Sequence, residues 1–233
     1  MQVRYSFIIP VYREEEIINS TIDHLIHLQK FAAAEIIVAD GDYEGSTLRE
    51  ISNTTVKKIL CPEGRARQMN SGAAKSSGDI LIFLHADTRL PESALKKIAE
   101  ILEDKEIVGG AFDLCIDSQR FAFRVIEKMA SMRSRLTRIP YGDQAIFIRR
   151  DYFQSLGGFK DIPIMEDVEL MRRIKRRRGK INILKDKVKT SPRRWETEGV
   201  VFCTLRNWFL ITLYLLGAKP ETLAKFYRQS SAQ

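Results

Sequence analysis

Residues 79–84, DILIFL, are the most restrictive stretch of this chain. A strand with one wet face alternates polar and apolar residues. This one does not, so both of its faces must be covered. Residues 5–11, closed by Pro10 and Tyr12, and residues 35–39 have the same character, and residues 56–61 form a further strand candidate. Helical patterns lie between them. Residues 14–28 set Ile17, Ile18, Ile22, Leu25, Ile26 and Leu28 on a stripe, with acids in the first turn. Residues 64–74 read as a polar turn and a helix of small residues. Residues 91–102 begin with Pro at the first helical position and carry Leu95, Ile98, Ala99 and Leu102 on one face. This alternation predicts an α/β fold, a mostly parallel central sheet with helices on both faces. Ligands in such sheets sit outside the carboxyl ends of the strands, which here means residues 10–14, 40–46 and 85–88.

The second half is less regular. A strand is expected over 108–116, containing Gly109 and Gly110, and a basic amphipathic helix over 121–138. The loop PYGDQ leads to a strand over 145–148. Gly157 and Gly158 make a turn, and IPIMED opens a helix over 167–178. Two short strands follow, 181–184 and 187–190, then two helices, 200–216 and 220–229. There is no internal repeat and no linker rich in Pro, Gly or Ser. One compact unit is expected, an α/β domain over 1–195 with helices over 196–233 packed on it or extending it.

Charge is concentrated. Residues 172–194 hold twelve Lys or Arg and one acid, Asp186, a net of +11. The whole chain of 233 residues carries +8, so the remainder is about −3, by difference. Cys61, Cys115 and Cys203 are odd in number and widely spaced, which indicates neither a disulfide framework nor a zinc site and favours a reducing, cytoplasmic compartment. The opening MQVRYSFIIPVY reads as a first strand, not a signal peptide. The longest apolar stretch, residues 208–216, is half of the ~20 residues a membrane span requires.

Several residues can carry chemistry. Asp87 follows the buried run and faces a cleft, where a carboxylate can hold Mg2+ or Mn2+ beside substrate phosphates. The alternative is a turn Asp before the next helix. His85 is a second polar group at that strand end. Asp40 ends another strand, either as a turn residue or as an acceptor for a base or ribose. Arg65, Arg67, Gln68 and Asn70 lie on the small-residue helix, a face that suits close approach of a ligand or ordinary solvation. Neither a phosphate-binding G-x-x-x-x-G-K-S/T loop nor a dinucleotide-binding G-x-G-x-x-G occurs. Glu166 and Asp167 are adjacent, so one can reach a cleft while the other caps its helix. A carboxylate there could act as general base toward a hydroxyl. Gly142, Asp143 and Gln144 form a turn or an acceptor contact. Arg194 could hold phosphate and Trp195 could stack on a sugar or pack in the core.

Together these segments resemble a family 2 glycosyltransferase with the A-type nucleotide-sugar-binding fold, over residues 7–195. IIPVYREE is similar to the family's P-x-Y-N-E, with Arg13 for Asn and Glu14 kept, and IIVADGDYEGST is loosely similar to its D-D-G-S stretch. GRARQMNSGAAKSSGDILIFLHADTRLP resembles the segment ending in the metal motif Asp-x-Asp, here His85-Ala86-Asp87. IMEDVEL resembles the E-D helix start, and SPRRW partly matches Q-x-x-R-W. HADT, GGAFDL, PYGDQAIFIRR and TSPRRWE are similar to a narrower bacterial subgroup labelled arsenosugar-biosynthesis or carotenoid-acid glycosyltransferases. The resemblance implies inverting transfer from a UDP-, GDP- or dTDP-sugar with a divalent cation. Asp87 would be the metal ligand, Asp167 the base beside Glu166, and Asp40 the base contact. Pro10, Tyr12, Glu14, Arg65, Arg67, Gln68, Asn70 and Ala86 would line the donor. His85, Gly142, Asp143, Gln144, Arg194 and Trp195 would face the diphosphate or the acceptor.

The basic block has three readings: a solvated face, a phosphate funnel, or a patch on an anionic membrane surface that would suit a lipid-linked acceptor. The apolar segment NWFLITLYLLG supports the last, or a contact within the domain or a homodimer. Two other classes compete. A nucleic-acid module is disfavoured because the block lacks interleaved aromatics. A sugar-nucleotide nucleotidyltransferase needs a basic Gly-rich loop after the first strand, where this chain has the acidic PVYREEE.

Overall fold

The computed structural model describes residues 3–228. Eight strands form one sheet. They are β1 (Tyr5–Val11), β2 (Ala34–Asp40), β3 (Lys57–Leu60), β4 (Ile80–Phe83), β5 (Thr88–Arg89), β6 (Ile107–Ile116), β7 (Ile146–Arg149) and β8 (Lys180–Thr190). Their order is β3-β2-β1-β4-β7-β6-β8-β5. The first four are mutually parallel, β7 is antiparallel to β4 and β6, and β6 and β8 are parallel. The helices are α1 (Glu15–Leu28), α2 (Ser46–Glu50), α3 (Arg65–Ala74), α4 (Ala94–Leu102), α5 (Phe121–Thr137), α6 (Arg150–Ser155), α7 (Glu166–Arg176), α8 (Arg193–Glu198), α9 (Val200–Leu215) and α10 (Pro220–Arg228).

The uninterrupted apolar strands have the expected consequence, a core on each face. Phe7, Ile9, Ile80 and Ile82 pack with α1, α4 and α5 on one side. Ile8, Leu81 and Phe83 pack with α3, α6 and α7 on the other. Period-two side-chain direction in a strand splits neighbours between the two cores.

The structure corrects several boundaries. The two short strands expected over 181–190 are one strand, β8, whose register on β6 shifts between Phe112 and Asp113. A bulge of this kind holds extra residues without ending pairing, so the polar Lys185-Asp186 looks like a break in the sequence only. Pro91 does not open α4. It starts a turn in which Ala94 donates to the Pro91 carbonyl (2.9 Å), and the helix begins three residues later. β5, α6 and α8 had no periodic signal, being two to six residues long. Gly110 is needed where β6 meets β8, because a Cβ there would overlap the Asn182 carbonyl.

Two helices leave apolar faces open. On α9, Val201, Phe202, Leu205, Trp208, Phe209 and Leu215 are exposed, as is Leu216 just beyond it. On α5, Phe121, Val125, Met129, Met132 and Leu136 form an exposed stripe at helical spacing. Among the described residues no helix is long and apolar enough to cross a membrane.

Candidate active site

The site lies where β1 and β4 part. β1 pairs with β2 up to Val11 but with β4 only as far as Ile8. Strand order runs away from β1 in both directions, which makes this the switch-point crevice of the sheet. Pro10, which has no N–H to donate, falls where β4 has already left. Tyr12 stands exposed at the rim, with the Arg13 guanidinium 5.4 Å from its ring centre.

Beyond β4, the Asp143 carboxyl lies within electrostatic reach of carboxylates from two other segments, Asp167 and Asp87. Asp143 sits in a 3-10 turn, Gly142–Gln144, and its carboxyl is pushed up to about 6. Burial is the main cause and the Arg133 guanidinium opposes it, while the neighbouring Asp167 and Asp87 carboxylates add to it. Asp167 is in the first turn of α7. One oxygen accepts the Gly142 N–H (2.7 Å) and the other accepts the Val168 N–H (2.7 Å). A Cβ on Gly142 would lie 3.0 Å from His85 Nε2 and 3.5 Å from Asp167 Oδ2, so glycine lets these groups crowd together. His85 is held near 3 by burial and by the Arg65 and Arg194 cations, so it is neutral at ordinary pH.

The adjacent acids divide as their geometry requires. Glu166 is buried and meets the Arg65 guanidinium at 3.5 Å; burial raises its carboxyl, with Arg65 opposing. Asp167 stays half-open toward the crevice. The turn before them is strained: Met165 has φ 67°, and Arg13 (55°) and Ala145 (50°), also beside the crevice, are left-handed without being glycine. Such conformations cost of order 1–3 kcal/mol each and gather at functional sites.

Many of the expected donor, diphosphate and acceptor contacts are committed within the protein. Asp40 is fully buried. Its oxygens accept the N–H groups of Asp42 (2.9 Å) and Leu48 (3.4 Å), and burial raises its carboxyl. It therefore fastens the β2–α2 loop and has no open face. Gln68 donates to the carbonyls of Val11 (2.6 Å) and Ala39 (3.1 Å), tying α3 to the ends of β1 and β2. Asn70 exchanges two hydrogen bonds with the Phe159 backbone (2.8 and 2.9 Å), and Arg67 shares its Nε–H between both oxygens of Asp161 (2.9 Å). Gln144 is buried, accepting from the Ser134 hydroxyl (2.6 Å) and donating to the Phe112 carbonyl (2.8 Å). Ala86 is buried, and its carbonyl accepts the Thr21 hydroxyl. Trp195 packs edge-on against Phe123 (6.0 Å between centroids) in the core of the α5 face. Glu14 is clasped by Arg193 (2.8 and 3.0 Å), whose charge also lies near Asp87. Arg194 meets Glu198 at 3.5 Å and the Tyr227 ring at 4.3 Å.

Sequence reading missed Arg133 and Tyr141. The Arg133 guanidinium stacks on the Tyr141 ring at 3.2 Å from its centre and acts on both Asp143 and Asp167. Nothing in the spacing of α5 marks Arg133 among its other basic residues. Half of the basic block is ion-paired internally. Arg173 bonds Glu169 and the carbonyls of Leu156 and Gly158, while Lys180, Lys187 and Lys189 meet Glu106, Glu127 and Asp117.

Residues 6–157 match the family described as Glycosyl transferase family 2. The chain is similar to the probable glycosyltransferase YdaM of Bacillus subtilis (strain 168), at 24% identity over 196 residues, 73% of this chain and 46% of that protein. It thus spans about half the length of this curated relative. Among solved structures it is similar to residues 1–349 of TarS from S. aureus (TM-score 0.61, 16% identity, 81% of this chain and 61% of that one). The mannosyltransferase PcManGT from Pyrobaculum calidifontis, in complex with GDP-Man and Mn2+, superposes with TM-score 0.61 at 18% identity, over 81% of this chain and 57% of that one. Glucosyl-3-phosphoglycerate synthase from Mycobacterium tuberculosis, in complex with Mn2+, UDP and glucosyl-3-phosphoglycerate, does so with TM-score 0.58 at 17% identity, over 80% and 70%. These structures share the fold.

Proposed function

The chain belongs to glycosyl transferase family 2, and on that premise we propose that it moves a sugar from a nucleoside-diphosphate sugar to an acceptor hydroxyl in one inverting displacement. The observation that supports this most is the carboxylate cluster itself: Asp87 and Asp167, eighty residues apart, both act on the half-buried Asp143. Asp167 is the general base. Its two backbone N–H partners fix the carboxylate, which retains lone pairs to take the acceptor proton. Glu166 is not the base, because Arg65 and burial hold it inside.

The residues present fit a hard divalent cation. Mg2+-like ions bind through one or two carboxylates plus substrate phosphates, not through all-protein cages. Asp87, half-open at the strand end, supplies such a carboxylate, and no set of three His, Cys, Asp or Glu side chains forms a cage among the described residues. Mn2+ or Mg2+ held there would neutralise charge on the departing diphosphate. Arg65 and Arg194 surround the neutral His85 and add positive charge on the same side. Tyr12 and Pro10 offer the base an apolar ledge. Asp40 and Gln68 contribute by shaping the loop beneath it. The acceptor is a hydroxyl compound, and the subgroup resemblance directs the first screen to small metabolites and lipid-linked alcohols.

A thermal-shift series with UDP, GDP and dTDP, with and without Mn2+, tests the donor reading. A rise in Tm is expected for one diphosphate with Mn2+ and is lost in Asp87→Ala. No response to any diphosphate would defeat it. Asp167→Asn should retain that rise and lose roughly 10²–10⁴-fold in turnover. Loss of turnover in Glu166→Gln, with Asp167→Asn active, would reverse the assignment.

A further inference from the structure

The outward face of α9 is apolar from end to end. Val201 is 71% exposed and Phe209 59%, and the one polar side chain among them, Thr212, spends its hydroxyl on the Trp208 carbonyl (2.8 Å). The only charged residue of the helix, Arg206, is buried and paired with Glu198. Large side chains half in the open along sixteen residues present on the order of 600 Å² of apolar surface, the upper end of what a soluble monomer shows. Cations lie near the C-terminal end of the helix. Arg172 of α7 lies over the Tyr214 ring at 5.6 Å, Arg176 acts on the same tyrosine, and Lys219 follows the helix. α5, with its own exposed stripe, is tied to the same region at both ends, through Phe123 on Trp195 and through the bond from Lys175 to the Thr137 carbonyl.

We propose that the open face of α9 lies flat on an anionic lipid bilayer, its apolar side chains in the headgroup boundary and the cations near its C-terminal end on the lipid phosphates. Charge decides the occupant. A second copy would bring another +8 chain, with its own +11 block, against this one, whereas an anionic leaflet complements it. A helix of about 24 Å with an apolar face and cations near its C-terminal end has the form of an in-plane anchor and is too short to span. This inference does not depend on the transferase reading, since it concerns binding alone.

The test uses the full chain with vesicles of phosphatidylcholine alone or mixed with phosphatidylglycerol. Co-sedimentation is expected with the anionic vesicles and is weakened by salt. It should be accompanied by a blue shift of emission that disappears in Trp208→Phe, which leaves Trp195 as internal control. Leu205→Glu with Phe209→Glu should lower partitioning by roughly tenfold or more, because two large side chains leave the lipid. Arg172→Glu with Arg176→Glu should also weaken it. No co-sedimentation, or binding unaltered by the Leu205 and Phe209 changes, would overturn the proposal. So would a dimer broken by those changes in a protein that ignores vesicles, which would assign the face to a second copy. If the charged variants fail to fold, the Trp208 emission of the unaltered chain still decides.

Discussion

Asp143→Asn should make the protein more stable at neutral pH, by an amount that grows with pH. Its carboxyl goes from an ordinary 3.8 to about 6 on folding, chiefly through burial and next to the Asp167 and Asp87 charges. A raised carboxyl pKa means the folded state holds the proton more tightly. Its contribution is therefore complete below pH 3.8 and is lost as pH rises through 6. The shift of about two units corresponds to roughly 3 kcal/mol at high pH, of which about 1.5 kcal/mol is lost between pH 5 and 8. Asparagine keeps the shape and cannot ionise. Urea denaturation of both proteins at several pH values, without added cation, should give stabilities that separate from pH 5 to about 7 and then keep a constant gap, with the variant more stable. Parallel curves, or a variant weaker at pH 8, would show that Asp143 does not carry a destabilising charge. The carboxylate cluster would then lose its main electrostatic support.

Asn70→Ala should cost about 2–3 kcal/mol in urea denaturation, because both bonds to the buried Phe159 backbone groups are lost; a neutral result would mean that water replaces the amide. Gly110→Ala should cost about 3 kcal/mol or more, since the new methyl meets the β8 backbone, which cannot swing aside as a flexible side chain would; wild-type stability would mean that β6 and β8 lie farther apart.

The parallel strands β1, β2 and β4 were legible in the sequence because strands covered on both faces leave no polar alternation to confuse the reading. DILIFL and IIVAD needed no tertiary context to be recognised, and the acids after them fell where an α/β sheet places its crevice. The second half was less legible. A bulge in β8 looks like a break, α6 and α8 are too short for a period, and β7 runs antiparallel for reasons found only in its neighbours.

What the sequence determined alone was therefore the two-sided core, the strand ends and the candidate acids at them. Those follow from local hydropathy and chain direction. The tertiary structure decided which polar groups remain open. Asp40, Gln68, Asn70 and Gln144 have the same chemistry as open ligands, yet each is committed to backbone groups that arrive from distant segments. Asp87, Asp143 and Asp167 are left near one another, together with Arg133, which no motif marked. Hydrogen-bonding capacity belongs to a residue type, but whether it is already satisfied depends on partners that only folding brings near.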